Sequence, residues 1–424
     1  MNNIIYFVLI FLTTYTDSFL TPYMGAFGFS LLPTASLILY IWRFVLDKRT
    51  VKKNSFCFFF KCLINYTFML SIALYLILLF SGQSTTFYGE DLLIKGIKLY
   101  VTFLSYIAFI FVLLDVIEKM SLEDIFKPFY LVNIFLAVFG LIEFNHLPHA
   151  FMNLHNGTSD VYYRVRLLCQ ESSHTAPIIE LFFLMSAFYS IYVKKSKINL
   201  LITIICFIVQ IYITSSKSFM VVLGLSLVFG MWKILKESRH KGLITIGSIG
   251  LILLFYKYVY FDLLEDFEGD ISNSTSTSTR STSVLSGYLM GILIPWGAGF
   301  GGYLYLLPQF MRFIMENLPS FFDTSELEYM IHSKDDSAIA SQAFFSQSST
   351  YWGCIGVCLF LSKLLGVFKK FLLCLDNGGS KALFKTICCV LMLNMSFTTG
   401  LDFVYLSVLA IMINFNLKQK HIQC

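Results

Sequence analysis

The chain has 424 residues, of which 57% are hydrophobic and 13% are charged, and its mean hydropathy is +0.72. This composition excludes a string of soluble domains, because apolar runs recur from end to end and a run of roughly 20 apolar residues crosses a bilayer. The formal net charge of +5 does not indicate a nucleic-acid partner, since the basic residues are spread over short loops between the apolar runs.

The apolar runs predict an all-α polytopic membrane protein, with residues 1–424 forming one integral membrane domain of about twelve transmembrane helices. Stretches such as Ile72–Phe80 do not alternate with period two, which excludes a β-barrel. The first run, Ile4–Thr14, has neither a basic leading region nor a cleavage motif, so we expect a retained span. The predicted spans are residues 4–20, 24–46, 58–81, 92–114, 128–144, 176–193, 198–213, 217–234, 242–260, 347–368, 383–399 and 401–416.

The positions of the basic residues predict the topology. Most of the 31 lysines and arginines lie in loops or span ends that this map places on one side of the membrane. Because cytoplasmic loops are the ones enriched in lysine and arginine, we expect both termini in the cytoplasm. The cations outside this set, on the predicted outer side, are Arg164, Arg166, Lys217, Arg280, Arg312 and Lys334.

Two of the predicted outer loops are long, at about residues 145–176 and 261–347. In the second loop, the low-complexity run Asn273–Ser283, NSTSTSTRSTS, predicts an extended or mobile segment. An apolar stretch with a glycine run, Val284–Phe322, follows it. We expect this stretch to lie in the membrane interface or to dip into it, and the alternative is one more pair of spans.

The first outer loop ends in a polar island, Arg164–Ala176, with the sequence RVRLLCQESSHTA. Ionisable groups beside a membrane span are costly and therefore mark functional-site candidates. Glu143 and Glu180 lie near the ends of the flanking spans, and we expect each to reach the interface or a buried partner. The ten cysteines indicate neither a disulfide framework nor a metal site, because no CxxC pair occurs.

Four short motifs follow one another along the chain. Arg164 precedes the element ESSHTA, which begins at Glu171, and TSSKS places Lys217 at the start of a later span. Arg280 precedes the glycine run WGAGFG, and Gln342 precedes a G-x-x-G pair. The order and spacing of these motifs resemble those of the Wzy-type O-antigen and capsule polymerases and their O-antigen ligase relatives.

The chain departs from the pattern of that family at several positions. Leu167 stands where the family usually has glycine, and Ser172 stands where it has proline. Lys217 replaces an arginine. The histidine that ligases often carry ahead of the G-x-x-G pair is missing at that spacing, and Gln342 lies near its place.

The resemblance implies a GT-C-like fold in the bacterial inner membrane and a transfer reaction at its periplasmic face. Sugar repeat units carried on undecaprenyl pyrophosphate would be joined when an acceptor hydroxyl attacks the anomeric carbon and lipid pyrophosphate leaves. The reaction implied is metal-independent and uses no nucleotide sugar or other cofactor. The implied partners are the lipid-linked donor and acceptor and the bilayer, and a chain-length regulator and a flippase are the suggested protein partners.

The resemblance also implies roles for particular residues. Arginine binds phosphate oxygens bidentately and keeps its charge, so Arg164 and Arg280 are the predicted clamp on the leaving pyrophosphate. Glu171 is predicted either to accept the hydroxyl proton or to orient the sugar. The predicted substrate-binding residues are Arg166, His174, Lys217, Gly299 and Gly301.

Each of these roles has a structural alternative. Glu171 could instead pair with Arg164 or Arg166 to hold the loop, and Lys217 could be a solvated residue at a helix end. His174 could be a satisfied polar residue near a helix start. Gly299 could belong to a re-entrant turn rather than to a phosphate site.

Three functions compete at this level. The first is a polymerase of lipid-linked repeat units, which would make O-antigen of lipopolysaccharide or capsule. The second is an O-antigen ligase, which the missing histidine disfavours. The third belongs to another class, a lipid-linked oligosaccharide flippase or secondary transporter, which would place ionisable groups deep in the bundle and keep the outer loops short.

Overall fold

A computed structural model of the chain describes residues 2–21, 30–50, 54–155, 163–170, 172–214, 222–226, 228–230, 275–317, 325–332, 339, 341, 343–375, 377–397 and 401–420. These parts are almost entirely helical, as the sequence predicted. The helices are α1 (Asn2–Leu12), α2 (Leu31–Tyr40), α3 (Ser55–Phe80), α4 (Leu92–Ile117), α5 (Leu122–Asn145), α6 (Ser172–Phe188), α7 (Lys197–Thr214), α8 (Thr275–Leu293), α9 (Gly299–Asn317), α10 (Ser325–His332), α11 (Phe344–Leu373), α12 (Gly378–Phe397) and α13 (Phe403–Lys420).

The short elements complete the described fold. Helices α2 and α6 continue as π-helical segments, Ile41–Leu46 and Tyr189–Val193. Strands β1 (Thr86–Phe87) and β2 (Glu90–Asp91) form an antiparallel hairpin between α3 and α4. A 3₁₀ turn, Met152–Leu154, lies in the predicted first outer loop.

Six described helices are long and apolar enough to cross a bilayer. The prediction of an all-α, membrane-embedded protein is therefore confirmed at this level, because a backbone inside lipid must satisfy its own hydrogen bonds and helices do so. The count of about twelve spans stays a prediction, since residues 231–274 lie outside the described part. The six helical segments are Ser55–Phe80, Leu92–Ile117, Leu122–Asn145, His174–Val193, Lys197–Thr214 and Phe344–Leu373.

Polar side chains mark where several helices begin. The Asn54 side chain accepts hydrogen bonds from the first amides of α3, at 2.8 and 3.3 Å. Asp91 does the same for α4, at 2.8 and 3.2 Å, and Ser121 accepts from the amide of Asp124 in α5 at 3.1 Å. Because the first amides of a helix lack partners within it, these caps fix the starting points of apolar helices in the sequence.

Helix α4 is central to the bundle and packs against α2, α3, α9 and α13. Its buried face includes Phe103, which contacts the rings of Phe300 on α9 and Trp352 on α11, with centroids 4.9 and 6.0 Å apart. Trp352 is completely buried. Aromatic rings at these separations add to the apolar packing that joins three helices at one place.

Helices α8 and α9 form a hairpin whose tip lies at mid-depth in the bundle. The carbonyl of Trp296, at the tip, accepts a hydrogen bond from the hydroxyl of Tyr66, near the middle of α3, at 3.1 Å. The tip also meets Gly353, where α11 has a non-helical φ of 68°. There the Ile355 amide donates to the Pro295 carbonyl at 3.2 Å. The hairpin therefore enters and leaves at the same end of the bundle.

That end is called the outer end below, and it is the end at which α4 and α13 begin. The name follows the topology that the sequence predicts, which stays a prediction. On the way back to this end, α9 brings Tyr305 against Phe87 of the β-hairpin, with ring centroids 5.0 Å apart. The apolar stretch Val284–Phe322 thus contributes a segment that dips into the bundle.

The low-complexity run Asn273–Ser283 was predicted to be extended or mobile, and an extended conformation is wrong for the described part. From Thr275 onwards the run forms the first half of α8. Thr282 and Ser283 are buried. Small side chains let neighbouring helices approach closely in a membrane, and this packing overrides the low intrinsic helix propensity of serine and threonine. The hydroxyls of α11 then bond across the contact, with Ser346 donating to the Val284 carbonyl at 2.6 Å.

Two glycines let α9 approach its neighbours. A β-carbon on Gly301 would overlap the carbonyl oxygen of Leu92, and one on Gly299 would lie 2.5 Å from the amide nitrogen of Ser71. Gly299 also has a φ of +77°, in the region that L side chains rarely adopt. The contact of α9 with α3 and α4 therefore depends on the absence of a side chain at both positions.

At the opposite end, buried charges join three helices. Arg43, which is fully buried, pairs with Asp115 of α4 and donates to the Asn2 side chain of α1 at 3.0 Å. Arg49 also pairs with Asp115, at 2.9 Å. A buried charge that loses its partner is strongly destabilising, so this network holds α1, α2 and α4 in register.

The Gly301→Ala variant tests the close approach of α9. The added methyl group must displace the Leu92 carbonyl, and overpacking of this kind costs about 1–3 kcal/mol. We expect a lower midpoint of thermal unfolding for the purified protein in detergent. The matched control is Gly366→Ala in α11, where a β-carbon meets nothing within 4 Å. Equal midpoints for Gly301→Ala and the unaltered protein would contradict the packing described.

Candidate functional site

The polar island lies across the outer ends of α1 and α5. Arg164 is exposed, whereas the residues that follow it, 165–169, are buried. The Thr16 amide donates to the Leu168 carbonyl at 3.0 Å. Helix α1 ends at Leu12, earlier than the predicted span of residues 4–20, and the chain that follows it packs beneath the island. The island is thus held from below while one arginine faces outward.

Glu143 anchors the island. Its carboxylate, at the end of α5, is 1% exposed and accepts hydrogen bonds from the amides of Arg166 at 2.9 Å and Leu167 at 2.8 Å. Leu167 has a φ of +51°. Successive amides that converge in this way form a nest for an anion, and here the anion is a side chain of the protein. A positive φ is uncommon for residues other than glycine, so the contact with Glu143 holds Leu167 in an unfavourable backbone conformation.

A second set of contacts closes the island around Arg166. The Thr175 hydroxyl donates to the Arg166 carbonyl at 2.8 Å, and the Cys169 amide donates to the same oxygen at 2.9 Å. The Arg166 side chain is 6% exposed. Its charge lies close enough to the Glu143 carboxylate for the two to attract. Arg166 therefore belongs to the frame of the island, and Arg164 belongs to its surface.

Asp402 lies beside the island, directly before α13. The residue is partly exposed. It interacts electrostatically with Cys169 of the island and with Tyr106 of α4. Among the described residues no side chain donates a hydrogen bond to it or forms an ion pair with it.

Two further buried acids lie on the same half of the bundle. Asp17 faces His155, with Oδ2 2.9 Å from the ring Nδ1, and both side chains are almost fully buried. Within the described part of the chain, Asp17 Oδ1 and His155 Nε2 have no hydrogen-bond partner. Deeper in the bundle, Glu180 of α6 accepts from the Asn394 amide at 2.8 Å, and its other oxygen has no partner among the described residues. As expected from the sequence, Glu143 and Glu180 reach buried partners.

Helix α8 comes close to the same place. The Tyr288 hydroxyl donates to the Ser396 carbonyl of α12 at 3.3 Å, a few residues before Asp402 in the chain. Arg280 lies about two turns further towards the start of α8. The helix that carries Arg280 and the island that carries Arg164 thus meet the same junction between α12 and α13.

The predicted site residues are placed unevenly. Glu171, Lys217 and the side chain of Arg280 lie outside the described residues, so the predicted clamp of Arg164 and Arg280 stays a prediction. His174, in the first turn of α6, is half-buried and has an interaction partner. Gly299 and Gly301 are buried in helix contacts. This placement gives both glycines a packing role, and substrate binding by them stays a prediction.

An apolar groove runs between α3, α11, α12 and α13. Its free volume is only about 20 Å³, room for about one water molecule. Its lining is apolar throughout and includes Phe60, Phe360, Met395, Leu401 and Leu409. No group of three or more metal-ligating side chains occurs in the described parts of the chain.

Sequence reasoning missed Asp402, Asp17 and His155. Asp402 stands directly before an apolar run and has the appearance of an ordinary helix cap. Asp17 and His155 are far apart in the chain, and neither carries a spacing that points to the other. The sequence did point to Glu143 and Glu180, because acidic residues near the ends of membrane spans are costly. It gave no comparable sign for the other three residues. No family model, no curated protein and no solved structure matches this chain.

The Glu143→Gln variant tests the anchor. The NH₂ group of glutamine would face one of the two backbone N–H groups, of Arg166 or Leu167, which would then lose its acceptor. Hydrogen bonds to charged groups contribute about 1.5–3 kcal/mol each to stability. We expect the island to loosen and expose Cys169, which is 1% exposed. The measurement is maleimide labelling of Cys169 in a variant whose other cysteines are serine, and we expect it to be about tenfold faster or more.

The matched control for this labelling is Glu90→Gln. Glu90 lies in the β-hairpin and pairs with Lys98 at 2.9 Å, and Lys98 is half-exposed. An exposed pair of this kind contributes little. Its loss should leave the labelling rate of Cys169 unchanged. Slow labelling in Glu143→Gln would show that the carboxylate does not hold the island.

Proposed function

We propose that the protein is a metal-independent glycosyltransferase of the bacterial inner membrane. It polymerises oligosaccharide repeat units carried on undecaprenyl pyrophosphate, at the periplasmic face, and so makes O-antigen or capsule. One observation supports this function most: the Glu143 anchor holds the backbone of a segment whose Arg164 side chain faces outward. A guanidinium held in this way matches the negative charge of a lipid-linked diphosphate.

The chemistry requires stabilisation of a leaving pyrophosphate. Arg164 projects from an anchored segment, so its guanidinium can reach phosphate oxygens without a loss of loop order on binding. Donors directed at developing charge typically supply about 2.7–4 kcal/mol each of transition-state stabilisation. Arg280 would approach the pyrophosphate from α8. Arg166 would help to hold the island from which Arg164 projects. Arginine side chains, rather than a metal ion, would then hold the pyrophosphate.

Two other functions are compatible with parts of this arrangement. A ligase would use the same donor and the same leaving group, but the histidine typical of that group is missing near Gln342. A flippase would need ionisable groups along a path through the bundle. Of the described acids, Asp17, Glu143 and Asp402 lie at the outer end beside the polar island, Glu180 lies deeper, and Asp115 is paired with arginines at the opposite end. The larger share at the outer end favours an enzyme that works at one face.

Deletion of the gene in its own host separates the three functions. If the protein is the polymerase, electrophoresis of the surface glycan will show a single repeat unit on the acceptor. Full-length polymer retained on its lipid carrier would identify a ligase. Repeat units accumulated on the cytoplasmic leaflet would identify a flippase. Either of these last two results contradicts the proposal.

The Arg164→Lys variant tests the role of the outward-facing arginine. Lysine keeps the charge but loses the planar fork that binds two phosphate oxygens. We expect transfer at least about a hundredfold slower and visibly shorter glycan chains, in line with the loss of one directed donor. The matched control is Arg312→Lys, an exposed residue of α9 on the same predicted side. Unchanged chain length in Arg164→Lys would remove this residue from the mechanism.

A further inference from the structure

Two polar side chains of α3 face away from the bundle near the middle of the helix. Asn65 is exposed, and Tyr66 is 43% exposed. At a rise of about 1.5 Å per residue, Asn65 lies about 15 Å along a helix that is about 39 Å long. A hydrocarbon layer of about 30 Å centred on this helix puts both residues about 10 Å or more below its nearer surface. Lipid tails offer neither side chain a hydrogen-bond partner at that depth.

The tip of the hairpin between α8 and α9 lies against the same face of α3. The Tyr66 hydroxyl donates to the Trp296 carbonyl at 3.1 Å, and the Trp296 side chain is 59% exposed. Tryptophans that face lipid are enriched at the membrane surface, where the indole N–H reaches water. Non-helical backbone at mid-depth is tolerated where protein covers it. We therefore expect protein, rather than lipid alone, to cover this face.

These residues belong to one patch at the edge of the bundle. In the most apolar stretch of α3 28% of the residues are buried, against 78% in the span that contains α6. Cys62 and Met69 lie about one turn to either side of Asn65, on the same side of the helix, and both are exposed. The perimeter patch, as it is called below, consists of Cys62, Asn65, Tyr66, Met69 and Trp296.

The Asn65 amide indicates what covers the perimeter patch. Its Oδ1 accepts a hydrogen bond from the Tyr100 hydroxyl at 3.0 Å, which leaves a lone pair of Oδ1 and the NH₂ group for other partners. No residue in the described part of the chain accepts a hydrogen bond from Nδ2. An amide is complementary to a second amide, because Nδ2 of each can donate to Oδ1 of the other. A two-fold axis brings two copies of the same residue together in this way.

We propose that the perimeter patch is the interface of a homodimer in the membrane, in which the Asn65 amides of the two copies bond to each other. This inference does not depend on the proposed glycan transfer. Apolar surface alone does not bring helices together in lipid, whereas polar side chains at mid-depth do. Trp296 adds a large, rigid contact at the same depth, and tryptophan is one of the residues that dominate interface energetics.

The chain carries its own reporter of this interface. Cys62 is exposed about one turn from Asn65, so the two Cys62 thiols of the dimer lie near its axis. The test uses a protein whose other cysteines are serine, expressed with two different tags in the same cells. A short bismaleimide added to the membranes should give a covalent dimer that contains both tags. The matched control keeps only Cys358, an exposed cysteine of α11, and should stay monomeric under the same conditions.

Substitutions of Asn65 in this Cys62-only protein test the amide pair. Asn65→Leu removes both reciprocal hydrogen bonds, and for two interhelical hydrogen bonds we expect association to weaken about tenfold. Asn65→Gln keeps an amide and should retain most of the coupling. Tyr100→Phe removes the hydrogen bond within the subunit but leaves the Asn65 amide in place, so its coupling should match that of the parent protein.

Four results would overturn the proposal. Equal coupling of the Cys62-only and Cys358-only proteins would mean random collision. Unchanged coupling in Asn65→Leu would exclude the amide pair. Equal losses in Asn65→Leu and Tyr100→Phe would show that only the contact within the subunit matters. A Cys62 product with a different protein, identified by mass spectrometry, would assign the perimeter patch to that protein.

Discussion

The arrangement of the outer end depends on one interaction, the acceptance of two successive amides by the Glu143 carboxylate. A buried carboxylate is costly in a membrane protein unless donors surround it, and here the backbone supplies the donors. The same contact fixes the turn at Leu167 and so sets the direction in which Arg164 leaves the island. Glu143, at the end of the apolar helix α5, thus holds the charged island in place.

The two ends of the bundle use charge differently. At the end opposite the island, Asp115 is paired with both Arg43 and Arg49, which is the pattern of a structural network. At the outer end, Asp17 keeps an oxygen without a partner and Asp402 has no partner among the described side chains. Unpaired buried polar groups are expensive, and proteins keep them mainly where they do chemistry. The unpaired acids therefore make the outer end the more plausible place for chemistry.

Composition predicted the helical membrane fold because the bilayer leaves few alternatives for an apolar backbone. It predicted the importance of the island for the same reason, since charges there are costly. The sequence could not predict that the serine- and threonine-rich run would form α8, because that outcome depends on its contact with Ser346 of α11. It also could not reveal the anchor between Glu143 and Leu167 or the proximity of Asp402 to Cys169, which exist only when separate segments meet.

If the island and α8 face one diphosphate at the outer end of the bundle, positions 164 and 280 must lie close together. Chemical cross-linking tests this with cysteines placed at both positions of an otherwise cysteine-free protein, in membranes of cells that express it. We expect rapid coupling by a short bismaleimide, and protection from coupling when a lipid-linked diphosphate is bound. Failure to couple, with both cysteines freely labelled by a single maleimide from the outside, would contradict it.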